Sequence, residues 1–175
     1  MCIRDRKLIS DKPVFSSQLG VYSHRLGDTW LAGGASNSGG RVLLKYFDQS
    51  HLAEMTAELE PDSPTGLDYY PLAQAGERFP RNDPQLQPML EPRPADDVRF
   101  FQAMLEGIAS IEAEGYTALS QLGAPRLTKV FTAGGGSTNP AWRKIRENKL
   151  GVPVEIAEHS EASYGTALLA MRAMI

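Results

Sequence analysis

Residues 130–142, which read VFTAGGGSTNPAW, decide the fold class of this 175-residue chain. An apolar strand enters a run of three glycines, and Asn139 and Pro140 then suit the N-cap and first position of a helix. This order of strand, glycine turn and helix predicts an α/β arrangement. Bare glycine backbone and a helix N-terminus together could hold a nucleotide.

The same residues also have a purely structural interpretation. The glycines would turn the chain, Asn139 would cap the helix, and Trp142 would pack on the sheet instead of offering a flat platform for a base. The motif is not a P-loop, because no Gly-Lys-Ser/Thr follows. It is not a dinucleotide fingerprint either, because Asn139 stands where the third glycine belongs. On the motif alone, both interpretations stay open.

The flanking patterns extend the α/β prediction over the whole chain. Val98, Phe101, Ile108 and Ile111 recur at helical spacing in the strongest predicted helix. We predict a mixed sheet with helices packed on it. The predicted strands cover residues 14–17, 21–25, 29–32, 126–132 and 151–154, and the predicted helices follow residue 40 and cover 51–60, 96–122, 139–150 and 161–175.

Residues 61–94 contain eight of the twelve prolines, which excludes a long helix or an interior strand there. Within this segment Glu77 and Arg78 are expected to form a buried ion pair that holds the loop, with direct contact to a substrate as the alternative. The neighbouring Asp96 and Asp97 fit the first turn of the following helix, where negative charge is favourable. The small residues of the last helix predict close packing against the sheet.

The composition is that of a folded globular domain, with 42% apolar residues, 22% charged residues and a net charge of −3. This mildly acidic balance argues against a nucleic-acid partner, because a nucleic-acid binder would usually show a basic stripe. We also expect no membrane partner, because no apolar run is long enough for a membrane helix. Cys2 is the only cysteine, so we expect no internal disulfide and a cytoplasmic protein. The histidines, which lack metal-ligand spacing, are expected in solvated or capping roles; they are His24, His51 and His159.

Five segments in order make the chain resemble the C-terminal domain of the FGGY carbohydrate kinases, from Lys7 to the end. Its first segments look most like the branch of ribulose and xylulose kinases. The resembling segments are residues 33–40 (GGASNSGG), 70–84 with YPL, GERFP and DP, 104–108 (MLEGI), 134–142 and 161–167 (EASYGTA).

The resemblance implies the ribonuclease H-like fold shared with actin and hexokinase, and a site for ATP with Mg²⁺. Gly135 and Gly136 would then lie against the adenosine, and Asn139 would bond the adenine edge. Trp142 would stack on the adenine ring, and Gly40 would lie near the phosphates. The chain would belong to an ATP-dependent kinase that phosphorylates a hydroxyl of a ketose such as D-ribulose or D-xylulose.

The resemblance also implies a fragment. Residues 1–6 (MCIRDR) are expected to be a non-native leader, and residues 7–175 a kinase C-terminal domain truncated at its N-terminal side. In the family, the catalytic aspartate and a phosphate loop come just before the strand that here begins at Lys7, so no catalytic residue is assigned. The sugar would bind through the missing N-terminal domain. A non-catalytic nucleotide-binding or regulatory module is the alternative, and a plant parent would place the protein in the plastid.

Overall fold

The computed structural model describes residues 5–159 and 161–172. Strands come first in this part of the chain and helices then alternate with strands. The elements are β1 (Asp5–Ser10), β2 (Tyr22–Leu26), β3 (Thr29–Ala35), a 3₁₀ helix (Gly40–Lys45), α1 (Gln49–Thr56), α2 (Asp97–Gln121), β4 (Val130–Thr132), a 3₁₀ helix (Gly135–Thr138), α3 (Pro140–Leu150), β5 (Val154–Ile156) and α4 (Ala162–Arg172).

The strands of the described residues form two sheets. In the first sheet β3 lies between β1 and β2, and both pairings are antiparallel. In the second sheet β4 and β5 pair in parallel, with α3 as the crossover between them. The predicted α/β class is therefore confirmed, although the described strands are divided between two sheets.

Helix α2 lies at the centre of the domain. Asp96 caps it by accepting a hydrogen bond from the Val98 N–H at 2.9 Å, and Gly123, with φ 91°, follows its last turn. The helix is buried on several faces, because residues 100–109 are all buried. One core cluster packs α2 against α1 and α3, and another packs its C-terminal half against both sheets.

The proline-rich segment 61–94 lies against α2, and two helical glycines allow the close approach. A Cβ at Gly107 would come within 2.6 Å of the Tyr69 carbonyl oxygen, and one at Gly115 within 2.8 Å of the Phe79 ring. Tyr69 and Phe79 are both buried. The segment contains no helix or long strand, as the proline density predicted, and its packing against α2 holds it in place.

Several predicted elements have different bounds in the structure. Residues 14–17 form only a single bridge from Ser16 to Val21, not a strand. The strand predicted at 126–132 is limited to β4, since the residues after Pro125 are mostly exposed. The strand predicted at 151–154 starts only at Val154, because Gly151 is the left-handed C-cap of α3.

The first described residues bear on the predicted leader. Asp5 and Arg6 belong to β1 and pair with Ala35 and Gly34, and Arg6 is buried. Residues 1–4, including Cys2, lie outside the described residues. That residues 1–6 are non-native stays a prediction.

Residues 163–171 of helix α4 do not pack closely on the sheets. Residues 163–171 are all exposed, and a Cβ added at Gly165 would meet no atom within 4 Å. The prediction of close helix–sheet packing is therefore wrong for this part of α4. The helices in the described part of the chain include none that is both long and apolar enough to cross a membrane.

Candidate functional site

The five predicted site residues all line one cavity. It measures about 840 Å³, a size typical of small-molecule sites, and lies where the 3₁₀ helix Gly40–Lys45, α1 and the glycine turn before α3 meet. Buried Phe101 and Leu105 of α2 supply apolar surface. The predicted residues in the lining are Gly40, Gly135, Gly136, Asn139 and Trp142.

The glycine turn has a conformation that the sequence explains. Gly134 has φ 90°, a value that residues with a Cβ rarely adopt. The hydroxyls of Ser137 and Thr138 donate to the carbonyls of Gly134 and Gly135, at 2.6 and 3.0 Å, and close the turn. Bare backbone therefore faces the cavity where a side chain would occupy space.

Asn139 uses its side chain for two protein contacts. Its Oδ1 accepts the N–H of Trp142 at 2.9 Å, which caps α3 as predicted. Its Nδ2 donates to Thr56 Oγ1 at 3.2 Å, and Thr56 in turn donates to the Leu52 carbonyl at 2.7 Å. An amide NH₂ carries two hydrogens, so the second can still donate to a ligand.

The Trp142 side chain is only 4% exposed and belongs to the core cluster around α2. Its ring lies against two glycines: a Cβ at Gly136 would overlap its Cζ3, and one at Gly40 would come within 3.3 Å of its Cη2. The indole Nε1 is buried and has no hydrogen-bond partner among the described residues. The ring therefore packs in the core as well as lining the cavity, and its stacking on adenine stays a prediction.

The sequence analysis missed the opposite side of the cavity. Residues of the first 3₁₀ helix and of α1 line it, and exposed Arg41 brings a positive charge there. No motif marks these residues, because only the packing of α1 against α2 brings them to the glycine turn. The lining residues that the analysis missed are Arg41, Leu44, Gln49, Leu52, Ala53 and Thr56.

The expected ion pair between Glu77 and Arg78 is wrong. The Glu77 carboxylate accepts the backbone N–H of Arg78 at 2.8 Å, while the Arg78 guanidinium donates through Nε to Asn37 Oδ1 at 3.0 Å. Glu77 is buried and Arg78 is held near the surface. Adjacent residues on an extended chain point in opposite directions, which separates the two charges.

A buried ion pair lies beneath the glycine turn instead. Arg146 donates through Nε and Nη2 to both carboxylate oxygens of Glu112, at 2.7 and 2.8 Å, and through Nη1 to Thr132 Oγ1 at 2.9 Å. Burial lowers the pKa of nearby Arg6, and Glu112 opposes that shift. Burial and then Glu112 raise the pKa of Tyr116 to about 12. Because Thr132 ends β4, this network fixes the start of the turn.

The cavity offers no carboxylate for a metal ion among the described residues that line it. In the described part of the chain, no three His, Cys, Asp or Glu side chains come together as a possible metal site. This lining therefore does not fit direct coordination of Mg²⁺ by a carboxylate.

Comparison with known proteins defines the class as a carbohydrate kinase domain. The model of the FGGY family of carbohydrate kinases, C-terminal domain, matches residues 3–174. The chain therefore belongs to this family, as the resemblance predicted. L-fuculokinases from Salmonella typhi and Escherichia coli K12 are 29% and 30% identical over 70 residues, which are 40% of this chain and 15% of those proteins.

Solved structures agree on the fold. A xyloylose kinase from Brucella ovis matches 95% of this chain with a TM-score of 0.80 and 26% identity. A xylulose kinase from Lactobacillus acidophilus matches 94% of this chain with a TM-score of 0.77 and 16% identity. A glycerol kinase from Plasmodium falciparum matches 93% of it with a TM-score of 0.67 and 18% identity. The chain spans about a third of the length of these proteins, at 36, 35 and 36%. The predicted actin/hexokinase-type fold is confirmed.

Proposed function

We propose that this domain forms the ATP-binding wall of a carbohydrate kinase. The observation that carries the proposal is the convergence of Gly40, the Gly135–Gly136 backbone and Asn139 on one cavity of about 840 Å³. Residues almost a hundred positions apart in the chain meet there. The kinase family to which the chain belongs makes a nucleoside triphosphate the ligand to test first.

This proposal gives several of the lining residues a role in binding ATP. The second Nδ2 hydrogen of Asn139 donates to the adenine edge, and the bare backbone of Gly135 and Gly136 lies against the adenosine. Gly40 lies towards the phosphates, where neighbouring Arg41 adds positive charge. In phosphoryl transfer, positioning and electrostatics supply most of the catalysis.

A solved structure that shares the fold supports a nucleotide as the ligand. The glycerol kinase from Plasmodium falciparum, which shares the fold, was solved with ADP. The proposal of a ketose such as D-ribulose or D-xylulose as acceptor draws on the xylulose kinases among the similar structures. We assign the sugar site and the catalytic base to other parts of such an enzyme, and its cytoplasmic location stays a prediction.

A conservative change at Asn139 tests the proposal. Asn139→Asp keeps an oxygen to cap α3 and removes the amide donor, while Asn82→Asp makes the same charge change at an exposed site away from the cavity. We expect saturable binding of Mg-ATP by calorimetry, weakened about tenfold in Asn139→Asp and unchanged in Asn82→Asp. Absence of saturable binding by the folded chain, or equal affinity of both variants, would overturn the proposal.

A further inference from the structure

The Glu77 carboxylate is a buried centre of hydrogen bonds, with only 2% of the residue exposed. Its Oε2 accepts the Ser36 hydroxyl at 2.7 Å and the Tyr70 hydroxyl at 3.2 Å. Its Oε1 accepts the backbone N–H groups of Asn37 at 2.6 Å and Arg78 at 2.8 Å. All four of these hydrogen-bond donors are neutral, and the Glu77 charge also attracts the buried guanidinium of Arg6.

Two of these donors belong to a loop some forty positions earlier in the chain. The Asn37 side chain makes two further hydrogen bonds. Its Nδ2 donates to the Gly76 carbonyl at 3.0 Å, and its Oδ1 accepts the Nε–H of Arg78 at 3.0 Å. Residues 76–78 therefore grip Asn37 through its backbone and both ends of its side chain. The loop after β3 cannot move without breaking this set.

The gripped loop leads directly to the cavity wall. The Ser36 hydroxyl connects Glu77 to Ser38, because its oxygen also accepts the Ser38 N–H at 3.0 Å. Both serines are fully buried. Two residues later Gly40 begins the 3₁₀ helix and lies against the Trp142 ring. Glu77 itself does not line the cavity.

The protonation of the donors suits this arrangement. Burial, followed by the neighbouring Glu77 charge, raises the pKa of Tyr70 above its ordinary value, so its hydroxyl keeps its proton and remains a donor. A glutamine at position 77 would keep one acceptor oxygen but would present an NH₂ to two donors. The hydrogen bonds that hold Ser36 and Asn37 would therefore be weakened.

We propose that Glu77 is a positioning residue for the nucleotide: it holds Ser36 and Asn37 so that Gly40 keeps its place beside Trp142 in the cavity wall. The inference rests on the proposed ATP-binding function. It predicts that Glu77 affects nucleotide affinity without touching the nucleotide. Glu77→Gln should raise the Kd for Mg-ATP about tenfold.

Glu106 provides a matched control. It is a second buried carboxylate that accepts neutral donors from a distant loop, namely the backbone N–H and hydroxyl of Thr65, and also Nε2 of Gln102. It does not line the cavity. Glu106→Gln should therefore lower the melting temperature as Glu77→Gln does, but leave nucleotide affinity unchanged.

The experiment measures Kd for Mg-ATP well below the melting temperature of each variant of the full chain. Ser36→Ala, which removes one donor to Glu77, should shift Kd in the same direction by a smaller factor and serves if Glu77→Gln does not fold. Equal Kd for wild type and the folded Glu77→Gln or Ser36→Ala variant would overturn the proposal. So would an equal rise in Glu106→Gln.

A second readout separates this inference from the proposed function. In a Trp30→Phe background, the remaining Trp142 reports on its contact with Gly40 by fluorescence. We expect Glu77→Gln to shift this emission and Glu106→Gln to leave it unchanged. If the wild-type chain binds no nucleotide, the proposed function fails, and the emission still decides whether Glu77 positions the loop.

Discussion

The two loops that lead into the cavity wall, residues 36–40 and residues 134–139, are held in place by different kinds of contact. The first loop depends on Glu77, whose partners Ser36 and Asn37 lie 41 and 40 positions away. The second loop is closed mainly by its own residues: Ser137 and Thr138 donate to glycine carbonyls within the turn, and Asn139 caps the next helix. Local contacts leave a pattern in the sequence, and distant contacts do not.

The loops also differ in how charge is used beneath them. Below the second loop Glu112 forms a bidentate ion pair with Arg146, and both side chains are no more than 3% exposed. Below the first loop Glu77 accepts only neutral donors. Loss of Glu112 leaves the buried Arg146 cation without its ion-pair partner, whereas loss of Glu77 mainly removes hydrogen bonds from neutral donors. Removing Glu112 should therefore lower the free energy of unfolding more than removing Glu77.

The largest expected effect follows from the ion pair. Glu112→Ala should lower the free energy of unfolding by about 3–5 kcal/mol, because Arg146 would stay buried without its partner. Denaturant unfolding measures this change. Glu114→Ala is the control, because Glu114 pairs with Arg81 at the surface and should cost less than about 1 kcal/mol. Similar losses in both variants would contradict the contrast drawn between buried and exposed pairs.

A smaller effect is expected where the two loops meet the Trp142 ring. Gly136→Ala should cost about 1–3 kcal/mol of folding stability, because its Cβ would overlap the ring. Gly165→Ala, at an exposed helical site with no neighbour within 4 Å, should be neutral or slightly stabilising. Trp142→Phe removes the second ring, so the double variant should recover part of the loss of Gly136→Ala. Purely additive losses would show that the overlap is relieved elsewhere.

The last prediction concerns sugar-dependent ATP hydrolysis, for which we expect no measurable rate. The described residues that line the cavity include no carboxylate to deprotonate a sugar hydroxyl, so neither loop supplies a base. We predict that the chain by itself shows no ATP hydrolysis that depends on D-ribulose or D-xylulose. A coupled ADP assay with a heat-inactivated sample as control measures this. Activity well above that control would show that the chain is catalytically sufficient.

Local sequence signals predicted a large part of the fold. Helix α2 lies within one residue of its predicted bounds at each end. Asp96, which was predicted in its first turn, is its N-cap, and Gly123 follows its last turn. The glycine turn and α3 were predicted from Gly134, Asn139 and Pro140, whose backbone preferences act over one or two residues. Tertiary packing overruled short strand patterns, such as residues 14–17, where too few backbone partners were in reach.

The candidate site was predicted only on one side. The resemblance to the kinase family supplied Gly40, Gly135, Gly136, Asn139 and Trp142, and the structure brings all five to one cavity. It could not supply Thr56 or Arg41, because their place depends on how α1 and the first 3₁₀ helix pack. The adjacent charges of Glu77 and Arg78 predicted the wrong partner for Glu77, since a pattern of neighbouring charges says nothing about side-chain direction.

The sequence by itself determined the α/β class, the strand–turn–helix unit around residues 130–150, the central helix and the kinase family. These features depend on backbone preferences, helical periodicity and motif order, which are properties of neighbouring residues. Tertiary structure alone decided the second wall of the cavity, the grip of Glu77 on residues 36–37 and the ion pair beneath the glycine turn. The hydrogen bonds among them join residues 14 to 83 positions apart, and only the packing around α2 brings these residues together.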